Sequence, residues 1–160
     1  MGKRNLYLLL LIILFTYGCG NNLSDYDNLI LDGVANLNKS KPEKALDDFT
    51  RAIQIETQKA GGYLGRANAL NTLGRYQEAI DDYDRVIQID PKLANAYVNR
   101  ATAYVHLGKI KLAIADYEKG LQLDPKIDNS PGFVKRLFEN VPNKEKGIRK
   151  YLESLKKQAG

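Results

Sequence analysis

The 160-residue sequence contains one cysteine, one histidine, one methionine, five prolines and no tryptophan. A single cysteine cannot form a disulfide bond within the chain. One cysteine and one histidine are also too few ligands for a typical zinc site. The sequence also lacks a GxSxG nucleophile motif and a glycine-rich phosphate-binding loop. These absences predict a protein that is not an enzyme and that carries no metal and no cofactor.

The net charge of +5 is unevenly distributed along the sequence. Residues 19–128 carry 14 basic and 16 acidic side chains, whereas residues 129–160 carry eight basic and three acidic ones. Nucleic-acid binding requires a basic stripe across the folded surface, which the nearly neutral central region does not supply. We therefore predict no nucleic-acid partner.

The first residues have the order of a secretory signal. Lys3 and Arg4 precede an apolar run over residues 6–15, and Gly18 lies directly before Cys19. A positive start, a short apolar run and a small residue at the cleavage point are typical of such a signal. The run is shorter than the roughly 20 residues that a membrane-spanning helix requires. We therefore predict that residues 1–18 form a cleaved signal peptide.

Gly18 and Cys19 resemble the lipobox of bacterial lipoproteins, although Thr16 and Tyr17 stand where the lipobox usually has a leucine and a small residue. The resemblance implies that Cys19 carries acyl chains, palmitate among them, which would anchor the protein to the bacterial cell envelope. Residues 19–25 would form a short tether. Because Gly20 rather than an aspartate follows the cysteine, the outer membrane is expected if the organism has two membranes, with the protein facing the periplasm. The alternative is that Cys19 is an incidental thiol.

The chain repeats itself with a period of about 34 residues, which is typical of helical-repeat architectures. Within each repeat the matching positions lie one, three and four residues apart, as they do on one face of a helix. The four columns are Ala45, Ala79, Ala113 and Gly147; Leu46, Ile80, Ile114 and Ile148; Phe49, Tyr83, Tyr117 and Tyr151; and Ile53, Ile87, Leu121 and Leu155.

Turn residues divide each repeat into two helices. Gly74 and Gly108 separate the halves of the second and third repeats, and Asp-Pro pairs at 90–91 and 124–125 close them. In the first repeat, Ser40 lies three residues before Glu43 with Pro42 between them, which predicts a side-chain cap at the start of the second helix. Each repeat is therefore predicted to be a helical hairpin.

The stretch AYVNRATAYVHLGKIKLAIADYEKGLQLDP at residues 96–125 resembles the tetratricopeptide repeat family. The resemblance implies an all-α, right-handed α-solenoid whose first helices line a concave groove. Three clear repeats would occupy residues 26–127, and residues 128–160 would form a degenerate fourth repeat or capping helices, because Pro131 and Lys135 break its first-helix columns. The alternative for the last segment is an unrelated amphipathic helix.

Two arginines recur on the first helices, and each is followed at the same offset by an aspartate on the second helix. The pairs are Arg66 with Asp82 and Arg100 with Asp116. The constant offset predicts an ion pair that bridges each hairpin. The alternative is that the arginines face a ligand.

Family positions predict a protein-binding groove of amides and aliphatic side chains, which suits a peptide of modest charge. Some family members bind acidic C-terminal tails through a clamp of cationic side chains. This chain has Leu64, Asn68, Asn99, Asn129 and Phe133 at the matching places, without a cation. The alternative is that the amides only keep the surface soluble. The predicted groove residues are Leu64, Asn68, Asn71, Asn95, Val98, Asn99, Thr102 and His106, with Ile30, Val34 and Leu37 in the first repeat.

The expected function is that of a membrane-anchored scaffold that binds one or more proteins of the bacterial envelope. The alternative function is a structural lipoprotein that self-associates as a homo-oligomer. Residues 143–158 are predicted to form a basic amphipathic helix, with its apolar stripe packed against the repeats. The alternative place for this helix is an anionic lipid surface.

Overall fold

The computed structural model describes residues 23–129 and 147–159, and this portion of the chain contains helices and no strand. Within it, no helix combines the length and the apolar character needed to cross a membrane. The elements are α1 (Asp25–Asn38), α2 (Pro42–Ile55), α3 (Ala60–Thr72), α4 (Tyr76–Ile89), α5 (Ala94–His106), α6 (Ile110–Leu123), a 3-10 helix (Pro125–Asn129) and α7 (Ile148–Ala159).

The first six helices form three hairpins that stack in chain order. Helices α1 and α2, α3 and α4, and α5 and α6 pack as pairs, and α2 packs on α3 as α4 packs on α5. The predicted all-α solenoid of helical hairpins is thus confirmed. Helix α1 begins at Asp25, where the Ser24 side chain accepts a hydrogen bond from the Asp27 backbone amide at 3.1 Å. Asp25, which the predicted tether included, therefore belongs to α1, and residues 19–22 lie outside the described residues.

Two of the repeating columns form the core. Ala45, Ala79 and Ala113 are completely buried, which lets the helices of each hairpin approach closely. The aromatic column of Phe49, Tyr83 and Tyr117 fills the space between successive hairpins, and these are the three largest fully buried side chains in the described residues. The period seen in the sequence is therefore the period of the core.

The turn inside each hairpin has a residue in the left-handed conformation at the same position. Ser40, Gly74 and Gly108 have φ values of 55°, 75° and 70°, and the next residue donates its amide to a carbonyl five residues back, as in a Schellman motif. The predicted side-chain cap by Ser40 is therefore wrong, because this residue ends α1 in the position that glycine takes in the other repeats. Pro42 is at the start of α2 as predicted.

The last helix covers the end of the array through its apolar stripe. Ile148, Tyr151, Leu152 and Leu155 are buried in one cluster with Tyr117, whose ring meets that of Tyr151 edge-on at 5.9 Å. The prediction that this helix packs against the repeats is confirmed. The prediction that it runs through residue 147 is wrong, because the chain bends there with a φ of 107° and α7 begins one residue later. Residues 130–146 lie outside the described ranges.

Candidate functional site

Asn68 lies at the centre of the predicted groove and is held from two sides. The Tyr83 hydroxyl donates to its amide oxygen at 2.8 Å, and the Asn99 amide nitrogen donates to the same oxygen at 2.9 Å. Two donors satisfy that oxygen, so it is not available to a ligand. Asn68 and Asn99 can still offer the amide nitrogen of the former and the amide oxygen of the latter. The structure therefore brings these two predicted residues together, and neighbouring hairpins share the contact.

Thr102 repeats this arrangement one hairpin later. Its hydroxyl lies 3.2 Å from the Tyr117 hydroxyl and donates to the Val98 carbonyl at 3.1 Å. Burial raises the pKa of Tyr117 well above its ordinary value, although the hydrogen bond with Thr102 acts in the opposite direction. The phenol therefore stays protonated, so the aromatic column reaches the base of the groove with a hydroxyl.

The first hairpin lacks this polar contact, because Phe49 and Val34 stand at the equivalent places. A hydroxyl in the aromatic column thus accompanies a polar residue in the groove, and a phenylalanine accompanies an aliphatic one. This pairing was not predicted from the sequence, although the two columns keep the same separation in every repeat. The groove is consequently aliphatic at its first hairpin, where Val34 is 45% exposed, and polar at the next two.

The other predicted groove residues differ in how accessible they are. Asn95 is exposed and Leu64 is half-buried against the cluster that contains Tyr83. Val98 is completely buried and packs against Gly120 on α6. Because its side chain belongs to the core, the prediction that Val98 contacts a ligand is corrected. It supports the groove from beneath.

His106 lies at the end of α5 and stacks on a ring from the preceding hairpin. Its imidazole is parallel to the Tyr76 ring, with the ring centres 4.3 Å apart. Partial burial lowers the pKa of His106 below its ordinary value. The neutral imidazole therefore predominates at neutral pH, and at this end of the groove it offers a hydrogen bond rather than a charge.

Asn71 has a buried amide oxygen to which no hydrogen-bond donor in the described residues is directed. An acceptor left unsatisfied in a buried place costs roughly 1–3 kcal/mol. Leu37 and Val105 hold the equivalent places in the neighbouring hairpins. Asn71 is therefore a polar residue between two aliphatic counterparts, and its amide oxygen is covered from solvent.

The predicted bridges between arginine and aspartate are confirmed in both hairpins. Arg66 donates from Nε and Nη2 to the two carboxylate oxygens of Asp82, both at 2.7 Å, and Arg100 binds Asp116 in the same way at 2.7 and 2.8 Å. Arg100 also donates from Nη1 to Asp84 on α4, at 2.5 Å, a contact that was not predicted from the sequence. Desolvation disfavours the charge of Arg100, but its hydrogen bonds to both aspartates outweigh this and raise its pKa.

A cavity of about 350 Å³ lies on the opposite side of α3 from the groove. Its walls include Leu46 and Thr50 of α2, and Arg66 and Leu70 of α3. On a helix with 3.6 residues per turn, Arg66 and Leu70 project roughly 150° away from the groove residues of α3. The cavity and the groove are therefore separate places on the molecule.

No group of three or more histidine, cysteine, aspartate or glutamate side chains in residues 23–129 and 147–159 is arranged to hold a metal ion. Cys19, predicted to be lipidated, lies outside the described residues, as do the predicted signal peptide and Phe133. At the groove and at the cavity, the described residues offer hydrogen bonding, apolar contact and ion pairing.

Stacked antiparallel hairpins with small and aromatic columns define an α-solenoid repeat protein. Two family models match the sequence, one described as TPR repeat at residues 67–108 and one as tetratricopeptide repeat at residues 94–127. The TPR domain of Arabidopsis OM64 is 30% identical, with a TM-score of 0.65 over 76% of this chain and 100% of that one. The chain belongs to the tetratricopeptide repeat family.

Two further solved structures are similar to the chain. The second TPR domain of human RPAP3, in complex with the HSP70 peptide SGPTIEEVD, is 28% identical, with a TM-score of 0.62 over 72% of this chain and 93% of that one. The Yersinia enterocolitica translocator chaperone SycD shares the fold at 20% identity, with a TM-score of 0.68 over 88% of this chain and 98% of that one. A comparison with curated proteins gives no significant match.

Proposed function

We propose that the protein is a scaffold of the bacterial envelope, anchored through Cys19, that binds a segment of another protein in the groove of its first helices. The observation that carries the binding role is the groove itself. Its aliphatic first hairpin leads to the amides Asn68 and Asn99, which hydrogen bonds hold in place. Such a surface offers apolar contact together with a few fixed hydrogen-bonding groups.

The similar RPAP3 domain holds an HSP70 peptide that ends in EEVD, which supports a protein segment as the ligand class. The described groove of this chain differs in charge, because the predicted contact residues on α3 and α5 are amides, aliphatics, a threonine and a histidine. Arg66 and Arg100 do not supply cations to the groove, since both lie on the opposite side of their helices, where they bind aspartates of the hairpins. We therefore infer a ligand segment of modest charge rather than an acidic tail.

The groove proposal is tested with a photoreactive phenylalanine analogue placed at a single position in cells. We expect the analogue at Val34 to crosslink to a different protein, because Val34 is exposed on the aliphatic side of the groove. Leu112 of α6 is the matched control, since it is 51% exposed but lies on a second helix. Mass spectrometry of the product would identify the partner.

Equal crosslinking from Val34 and Leu112 would contradict a groove ligand. A product with twice the mass of the chain, formed from Val34, would favour self-association instead. A second experiment places the analogue at Asn95, which is also exposed in the groove. Adding Val34→Asp to this variant should suppress crosslinking from position 95.

Anchoring is tested by Cys19→Ser, with Asn21→Ser as a control that leaves the cysteine in place. The variant should accumulate unprocessed or leave the membrane fraction, because only the thiol of Cys19 can accept the lipid. Cell fractionation and the intact mass of the purified protein measure both effects. Normal processing with full membrane retention of Cys19→Ser would reject the lipoprotein proposal.

A further inference from the structure

Arg66 and Arg100 occupy the same place in successive hairpins but differ in how many carboxylates they bind. Arg100 uses Nε and Nη2 for Asp116 and Nη1 for Asp84. Arg66 uses Nε and Nη2 for Asp82, and its Nη1 has no acceptor among the described residues. The residue one repeat before Asp84 is Thr50, which has no carboxylate. Arg66 therefore binds one carboxylate fewer than Arg100 does.

An aromatic ring is also missing at this place. In the third hairpin, Arg100 lies 5.8 Å from the centre of the Tyr104 ring and Lys109 lies 5.9 Å from it. The counterparts of these three residues in the second hairpin are Arg66, Leu70 and Arg75. Leucine is shorter than tyrosine and carries no ring, so it leaves more of the space between the two cations unfilled.

The cavity of about 350 Å³ lies where these two groups are missing, since Thr50, Arg66, Leu70 and Arg75 all line it. Arg75 resembles Arg66 in its donors, because it gives Nε and Nη2 to Glu78 and its Nη1 has no acceptor in the described stretches of the chain. The Thr50 hydroxyl donates to the Leu46 carbonyl at 2.7 Å and is thus occupied. The donors left for a ligand are therefore the Nη1 group and the second Nη2 hydrogen of each arginine.

We propose that this cavity, named here the Arg66 cavity, binds an acidic side chain next to an aromatic ring on a partner protein. The carboxylate would take the place that Asp84 has beside Arg100, and the ring would take the place of Tyr104. The third hairpin provides the precedent that one arginine at this position holds two carboxylates at once. Charge-assisted hydrogen bonds of this kind are among the stronger polar contacts in proteins.

The negative charges around the Arg66 cavity do not oppose this ligand as strongly as their number indicates. Asp82 and Glu78 are each paired with an arginine, whereas Asp81 keeps its charge but is exposed, so solvent and salt screen it. The half-buried side chain of Leu46, next to the buried Leu70, provides the apolar surface on which a ring can pack. This place lies on the other side of α3 from the groove, so it is independent of the function proposed above.

The test uses the blocked dipeptide N-acetyl-Asp-Phe-amide as the probe and nitrogen-15 NMR of the full protein as the readout. We expect the Arg66 side-chain NεH signal and the backbone signals of α2 and α3 to shift as the probe is added. Two variants copy the third hairpin, and Thr50→Asp is the decisive one, because Thr50 is half-buried whereas Leu70 is only 4% exposed. Thr50→Asp supplies the carboxylate and Leu70→Tyr supplies the ring. Each should raise the dissociation constant of the probe by about tenfold or more, which corresponds to the loss of one good contact.

Three matched probes determine which chemical group of the ligand is recognised. N-acetyl-Asn-Phe-amide should bind far more weakly, because it has the same shape without the charge. Tighter binding of N-acetyl-Lys-Phe-amide would overturn the proposal in favour of the carboxylates of the cavity. Binding of N-acetyl-phenylalanine without binding of the aspartate probe would overturn the assignment to a side chain in favour of a chain terminus. Undiminished binding by Thr50→Asp, or no shift in the wild-type protein, would reject the Arg66 cavity as the site.

Discussion

Gly65→Ala should destabilise the protein by about 3 kcal/mol, because a side chain at this position has no space. A Cβ atom on Gly65 would overlap the ring of Phe49. The ring has little room to move, since it is almost fully buried and the Gly33 backbone also lies close to it, so that even a Cβ there would be 2.7 Å from the ring. A domain of this size is stable by about 5–15 kcal/mol, so the loss is a large fraction of the total. Urea denaturation followed by circular dichroism measures it.

Two further variants separate overlap from the general cost of replacing a glycine. Gly74→Ala adds a methyl group where no atom lies within 4 Å, and only its φ of 75° disfavours alanine. It should cost about 1 kcal/mol. Phe49→Leu combined with Gly65→Ala should be less destabilising than the sum of the single changes, because the smaller side chain relieves the overlap. Strict additivity would mean that the two residues do not compete for the same space.

Arg100→Ala should cost about 3 kcal/mol, because it leaves the carboxylate of Asp116 buried without its partner. Asp116 is only 7% exposed and loses both of its hydrogen bonds to the arginine. Asp84 loses its bond as well, which removes a link between α4 and α5. Arg66→Ala should cost less, because Arg66 holds a single carboxylate. The midpoint of urea denaturation gives both values.

Arg85→Ala is the matched control for the arginine variants. Arg85 donates only to the side chains of Gln58 and Gln88, with no buried carboxylate depending on it. Its removal should change the free energy of unfolding by about 0.5 kcal/mol or less. If Arg85→Ala and Arg100→Ala cost the same, the ion pairs would not explain the stability of the hairpins.

The sequence predicts most of the architecture because the period of the chain is also the period of its core. Ala45, Ala79 and Ala113 recur once in every repeat because each sits at the same close approach of two helices. The bridges of Arg66 and Arg100 were predictable for the same reason, since both partners recur with a constant offset. Features that every repeat shares are the ones that a single sequence reveals.

Features in which the repeats differ were harder to predict. The prediction that Ser40 caps a helix was wrong because serine is common at the start of a helix. Ser40 instead has the position that Gly74 and Gly108 have at the end of a helix. Val98 was placed in the groove by analogy with the family, but its side chain fills the space beside Gly120. Both errors arise where tertiary contacts, rather than the local pattern, decide what a side chain does.

The contacts between hairpins differ along the array, and this makes the hairpins unsuited to exchange. The first junction depends on Phe49 between two glycines, whereas the second has a carboxylate bound to an arginine and one amide bound to another. A hairpin that packed against the wrong neighbour would meet the contacts of a different junction. Either an aromatic ring would overlap a side chain, or a charged group would be left without its partner. The order of the repeats is therefore specified chemically, which guards a repetitive chain against pairing with the wrong copy of itself during folding.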